Sequence, residues 1–112
     1  MIIFDKTRIL IDYTITITDN TKRFPKKHRF TFVDKMQNLT LNIYKKLSKV
    51  NEYPTNKRKD IQIDVLGDIN VLLALIDISL ERKFITKNQA GIWTKKVLDV
   101  KYLTAAWLKK SK

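Results

Sequence analysis

One stretch of the chain gathers groups suited to a polyanion. Lys22, Arg23, Lys26, Lys27 and Arg29 put five formal positive charges into eight residues, with no acid among them and with Phe24 and Phe30 interleaved. Guanidinium groups donate paired hydrogen bonds to phosphate oxygens and ammonium groups supply point charge, so the cluster fits phosphate contact. The plainer reading is a solvated turn that only keeps the chain soluble. Other chemistry is poorly provided for. A carboxylate-bridged metal pair in a helical bundle draws on Glu-x-x-His from two helices and a Glu from each of the others. The sequence has one histidine, His28, and two glutamates, Glu52 and Glu81. Asp60, Asp64 and Asp68 recur every fourth residue, which reads as a solvated face or as ion-pair partners for lysines. Cysteine is absent, the serines are Ser48, Ser79 and Ser111, and no Gly-rich phosphate loop occurs. No catalytic residue, metal ligand or cofactor is therefore expected, and an enzyme is the least supported reading.

The charge extends beyond that cluster. The 112 residues carry 23 Lys+Arg against 11 Asp+Glu, a formal net charge of +12. Residues 1–56 hold 11 basic and 5 acidic side chains and residues 57–112 hold 12 and 6, so the excess is not a tail. Such a surface attracts polyanions at moderate salt, and RNA or DNA is the expected partner. A solubility device, or the bias of a Lys-, Asn- and Ile-rich proteome, is the alternative. The apolar start (MIIFDKTR) lacks a basic n-region and a long h-region, and Val65–Leu80 is broken by Gly67, Asp68, Asn70 and Asp77. Neither a signal peptide nor a membrane span is read, which implies a soluble, cytoplasmic protein.

Only two Gly and two Pro argue for a few long helices with short connections. Asp5 is a candidate N-cap, with Phe4 placed to staple onto Ile9, for a first helix over 5–23. Ile11, Tyr13, Ile15 and Ile17 alternate with polar residues as in a strand, against a helical stripe of Ile9, Tyr13 and Ile17. No other segment offers a strand to pair with, so helix is expected. Pro25 opens a second helix over 26–53, with Met36, Leu39, Ile43, Leu47 and Val50 as its apolar stripe. Thr55 is a candidate cap for a third over 56–84, with Ile61, Val65, Ile69, Leu72, Ile76 and Leu80 inward. Thr86 and Gln89 match a capping box for a fourth over 87–110, whose stripe is Trp93, Val97, Val100, Leu103 and Trp107. Four helices with short turns describe one all-α domain, an antiparallel up-down-up-down bundle. The closing KKSK is expected to fray.

That topology puts Arg82, Lys83 and Lys87 at the same end as the first turn. Lys57, Arg58 and Lys59 fall at the other end, with Lys45, Lys46, Lys49, Lys109, Lys110 and Lys112. Trp93, Trp107, Phe24 and Phe30 read as core or interface anchors in preference to base-stacking platforms.

The run Arg23-Phe24-Pro25-Lys26-Lys27-His28-Arg29-Phe30-Thr31-Phe32, with the closing Trp107-Leu108-Lys109, resembles a known signature. It is similar to the four-helix-bundle family of the Avd accessory proteins of diversity-generating retroelements and the 23S rRNA intervening-sequence proteins. Retroelement members often carry Gly-Arg and Gly-Gly pairs before the final Trp, where this chain has Lys101-Tyr102 and Ala105-Ala106. The alanines still permit close helix approach, while a lysine lacks the bidentate geometry of arginine. The resemblance implies a pentameric, ring-like homo-oligomer that binds a reverse transcriptase and its RNA or DNA. Two readings follow. The first is a nucleic-acid-binding accessory protein that uses Lys22, Arg23, Lys26, Lys27, Arg29, Arg82, Lys83, Lys87 and Lys101. The second is an assembly module of the rRNA intervening-sequence type, joined through Phe24, Phe30, Trp93 and Trp107, whose charge is incidental.

Overall fold

The computed structural model describes residues 1–111. Four helices, α1 (Ile2–Thr18), α2 (Asp34–Glu52), α3 (Lys59–Glu81) and α4 (Lys87–Lys110), form an all-α bundle with extents of 46 × 24 × 20 Å. Each helix packs on its neighbour in sequence, and α4 closes against α1. The core is a column of Leu10, Met36, Ile43, Leu47, Ile69, Leu72, Ile76, Trp93 and Val97, each at most 1% exposed.

Segment α1 is a helix despite its alternating isoleucines, and its buried stripe differs from the expected one. Ile3, Thr7, Leu10, Thr14 and Ile17 face inward at alternating steps of four and three. Threonine can sit there because its hydroxyl bonds back along the helix: Thr7 donates to the Ile3 carbonyl at 2.7 Å and Thr18 to that of Thr14 at 2.6 Å. Ile9 and Ile15 are consequently left exposed. The helix starts at Ile2, so Asp5 lies within the first turn and caps nothing, and Phe4 packs edge-on against Tyr44 with ring centroids 5.5 Å apart. It ends at Thr18, five residues earlier than expected. Asn20 captures the chain there: its side chain accepts from the Lys22 amide at 3.1 Å and its carbonyl from the Phe24 amide at 2.8 Å, a turn that competes with helix. Gln37 ties this end to α2 by donating to Thr18 Oγ1 and Asp19 Oδ1.

The second segment is not one continuous α-helix. Pro25 stands outside it with ψ 150°, followed by a 3-10 turn over Lys26–His28 and a π turn over Arg29–Val33. The wider π turn allows half-buried His28 and buried Val33, five residues apart, both to face inward before the regular α2 stripe begins. Thr55 forms no cap; it starts a short 3-10 turn, and α3 begins at Lys59. Helix α3 ends at Glu81 in a Schellman motif, where the Phe84 amide donates to the Ser79 carbonyl at 2.9 Å and that of Lys83 to Leu80 at 3.0 Å. Helix α4 carries the expected capping box, with Gln89 N donating to Thr86 Oγ1 at 3.1 Å and Thr86 N to Gln89 Oε1 at 3.0 Å. Its end is anchored, not frayed, as far as Ser111, a buried residue that accepts from Gln62 Nε2 at 3.1 Å. Lys112 lies outside the described residues.

Candidate nucleic-acid interface

Turns one and three meet at one end of the bundle through a knot of rings. Phe84 packs on Phe24 at 5.1 Å, on Phe32 at 5.5 Å and on the His28 imidazole at 4.9 Å between centroids. Each such pair adds about 0.5–1.5 kcal/mol beyond the area it buries. The Arg82 guanidinium lies 5.5 Å over the Phe32 ring. These contacts fix the two basic turns against each other, which charge repulsion alone would drive apart.

Lys22, Arg23, Lys26, Lys27, Arg29, Arg82, Lys83 and Lys87 are all exposed on or beside these turns. Among the described residues Arg29 is the one member with an ion pair, a 3.8 Å approach to Asp34 on exposed side chains. Lys83 sits at φ 63°, the left-handed position of the Schellman motif that glycine usually takes. A lysine there costs about 1 kcal/mol relative to a relaxed backbone, and it directs one more cation to this end. Lys101 does not join the group. It is half-buried and fourteen residues along α4 from Lys87, about 21 Å away at helical rise.

At the opposite end Arg58 and Lys46 are bonded within the chain, while Lys45, Lys49, Lys57, Lys59, Lys109 and Lys110 are exposed. Arg58 donates from Nε to the Tyr53 carbonyl at 2.8 Å and from Nη2 to that of Asn51 at 3.5 Å, with its guanidinium 5.6 Å over the Trp107 ring. Lys46 bridges Asp64 at 3.0 Å and Asp68 at 2.7 Å. Its pKa is raised, first by the hydrogen bond to Asp68, against an opposing loss of hydration. Two members of the aspartate stripe are thus ion-pair partners. No three metal-ligating side chains converge among the described residues.

The four aromatic residues expected at an interface separate. Phe24 is 1% exposed and Trp93 is fully buried, its Nε1 donating to Thr14 Oγ1 at 3.0 Å across the α1–α4 seam. Both are core residues of the single chain and have no side-chain surface left for a second copy, which corrects their assignment to an interface. Trp107 is half-buried beneath Arg58, and Phe30 stands free in solvent.

A surface not anticipated lies on the outer side of α1. A shallow cleft there is lined by Asp5, Arg8, Ile9, Asp12, Tyr13 and Lys96, with the Lys96 ammonium 5.5 Å over the Tyr13 ring. Ile9 and Ile15, exposed beside it, are its sequence signal, and an isoleucine in a helical stripe reads as core until the packing is seen.

Against protein-family models, residues 1–111 match the one described as bAvd-like. The chain belongs to the bAvd-like family. That membership agrees with the resemblance to Avd proteins in its first turn and its Trp-Leu-Lys closure, and it marks the chain as an Avd-like accessory protein. Neither a curated protein nor a solved structure matches it significantly. No helix among the described residues is long and apolar enough to cross a membrane.

Proposed function

We propose that this bAvd-like protein is a non-catalytic, cytoplasmic accessory subunit that assists a retroelement reverse transcriptase by binding its RNA or DNA through the end built from turns one and three. The observation that carries the reading is the set of exposed cations held there by an aromatic knot and left almost without ion pairs. Unpaired cations can release counterions from phosphates, whereas cations already bonded to the protein gain little. Nothing in the arrangement provides base-specific readout, so the contact is expected to follow backbone charge and shape.

Copies of the chain would meet through another surface. The outer side of α1 exposes Ile9 and Ile15 among charged residues, and Lys6 and Arg8 balance Asp5 and Asp12, so this helix is neutral in a chain of charge +12. Two molecules approach there with the least repulsion, in keeping with the homo-oligomer, a pentamer, that family resemblance implies.

Titration of a labelled oligonucleotide over a range of salt tests the nucleic-acid reading. Neutralising Arg23, Lys26, Lys27 and Arg29 together should flatten the dependence of log K on log salt by up to about 3–4. An unchanged slope moves the site elsewhere, and no binding at low salt ends the reading. Co-purification with a retroelement reverse transcriptase tests the other half.

A further inference from the structure

Phe30 is 85% exposed, more than any other large apolar side chain among the described residues. The fold puts it there: the π turn over Arg29–Val33 buries Val33, half-buries Phe32 and leaves the Phe30 ring turned to water. Such widened turns recur at functional sites. Its neighbours Lys26, Lys27, Arg29 and Thr31 are exposed and polar.

A contact between protein chains needs a contiguous apolar patch, and this ring has none around it. Cations on the same turn also repel an identical surface. A single flat ring framed by lysine and arginine is instead what an unpaired base needs, with its face stacked and its flanking phosphates neutralised. The turn is braced from beneath by Thr31 Oγ1 on the His28 carbonyl and by the His28 ring against Phe32 and Phe84, so little ordering remains to be done on binding. We propose that Phe30 is a base-stacking platform and that the basic end therefore takes single-stranded RNA or DNA in preference to duplex. This rests on the nucleic-acid reading above and names the form of nucleic acid that the site selects. Every base offers a π face, so the preference is for unpaired bases and not for a sequence.

Fluorescence anisotropy with labelled oligothymidylate and with a mixed-sequence duplex of equal length tests it. Phe30→Ala should weaken single-strand binding about 5- to 100-fold, change duplex binding less than about twofold and leave the salt slope intact. Phe30→Trp should restore the single-strand affinity and Phe30→Leu should not, because stacking needs a ring and not mere apolarity. If Phe30→Ala binds both probes like the parent while the four-residue charge variant loses them, stacking is wrong and the nucleic-acid reading stands. If the charge variant also binds unchanged, both fail. Equal loss on strand and duplex overturns the single-strand preference. A fall in oligomeric mass by light scattering with binding unaltered makes Phe30 an interface residue and overturns the proposal.

Discussion

At the end formed by residues 19–33 and 82–87, eight cations surround an aromatic knot, and among the described residues only Arg29 approaches a carboxylate. At the opposite end Arg58 is bonded to two backbone carbonyls and roofed onto Trp107, and Lys57, Arg58 and Lys59 are flanked by Glu52 and Asp60. Nearby, Lys46 is spent on Asp64 and Asp68. Both ends are rich in lysine and arginine. One bonds part of its charge within the chain, at Arg58 and Lys46, and leaves its other lysines exposed, while the other leaves all eight cations exposed around an aromatic knot. The number of basic residues therefore says less about a partner than what each of them already touches.

The sharpest test removes the ring that joins the free end. Phe84→Ala deletes a buried side chain touching three others and should cost about 3–5 kcal/mol in urea denaturation. A loss below about 1 kcal/mol would mean that the two turns are not held by this knot. Next comes a matched pair of binding measurements. Neutralising Arg23, Lys26, Lys27 and Arg29 should weaken oligonucleotide binding about 100-fold at low salt, and neutralising Lys57, Lys59, Lys109 and Lys110 less than about 5-fold. Equal losses would erase the distinction between the ends. Arg58→Ala should destabilise by about 1–2 kcal/mol, since it strips two carbonyls of their donor and uncovers Trp107, yet leave binding intact. Lys83→Gly should do the converse, stabilising by about 0.5–1 kcal/mol by relaxing the left-handed backbone while slightly weakening binding. Smallest is a pH effect. The folded pKa of Lys46 lies above its unfolded value of 10.5, so the bridge stabilises fully below that pH and fades as pH rises through the folded value. Lys46→Met should lose this alkaline limb in thermal melts, and a limb that persists would assign it elsewhere.

Much of the bundle was legible in the sequence because its signals are local. Met36 to Val50, Val65 to Ile76 and the Thr86–Gln89 box follow from spacing and capping alone. Helix α1 was harder, since threonine counts as polar in any pattern until its hydroxyl is seen bonded to its own helix at Thr7 and Thr18. The π turn was invisible, because it arises from packing between His28, Phe32 and a ring more than fifty residues away, Phe84. At the candidate site, sequence placed the cations but could not separate Phe24 from Phe30. Both flank the same basic residues, and only the turn's geometry buries one and exposes the other. Family position alone places Lys101 with the rest, a criterion blind to its distance along α4.

The order of helix contacts bears on how the chain acquires this shape. Three of the four seams join helices adjacent in sequence, and such local pairings close small loops and form quickly. The α1–α4 seam alone requires the chain's two ends to meet, and the Trp93–Thr14 bond spans it across 79 positions. Collapse of the three hairpins should precede that closure, so indole emission from Trp93 would report the final docking step, on a timescale of micro- to milliseconds. Thr14→Val would then leave the early phases untouched and hasten the opening of α1, making the first helix the part of the bundle that detaches most readily.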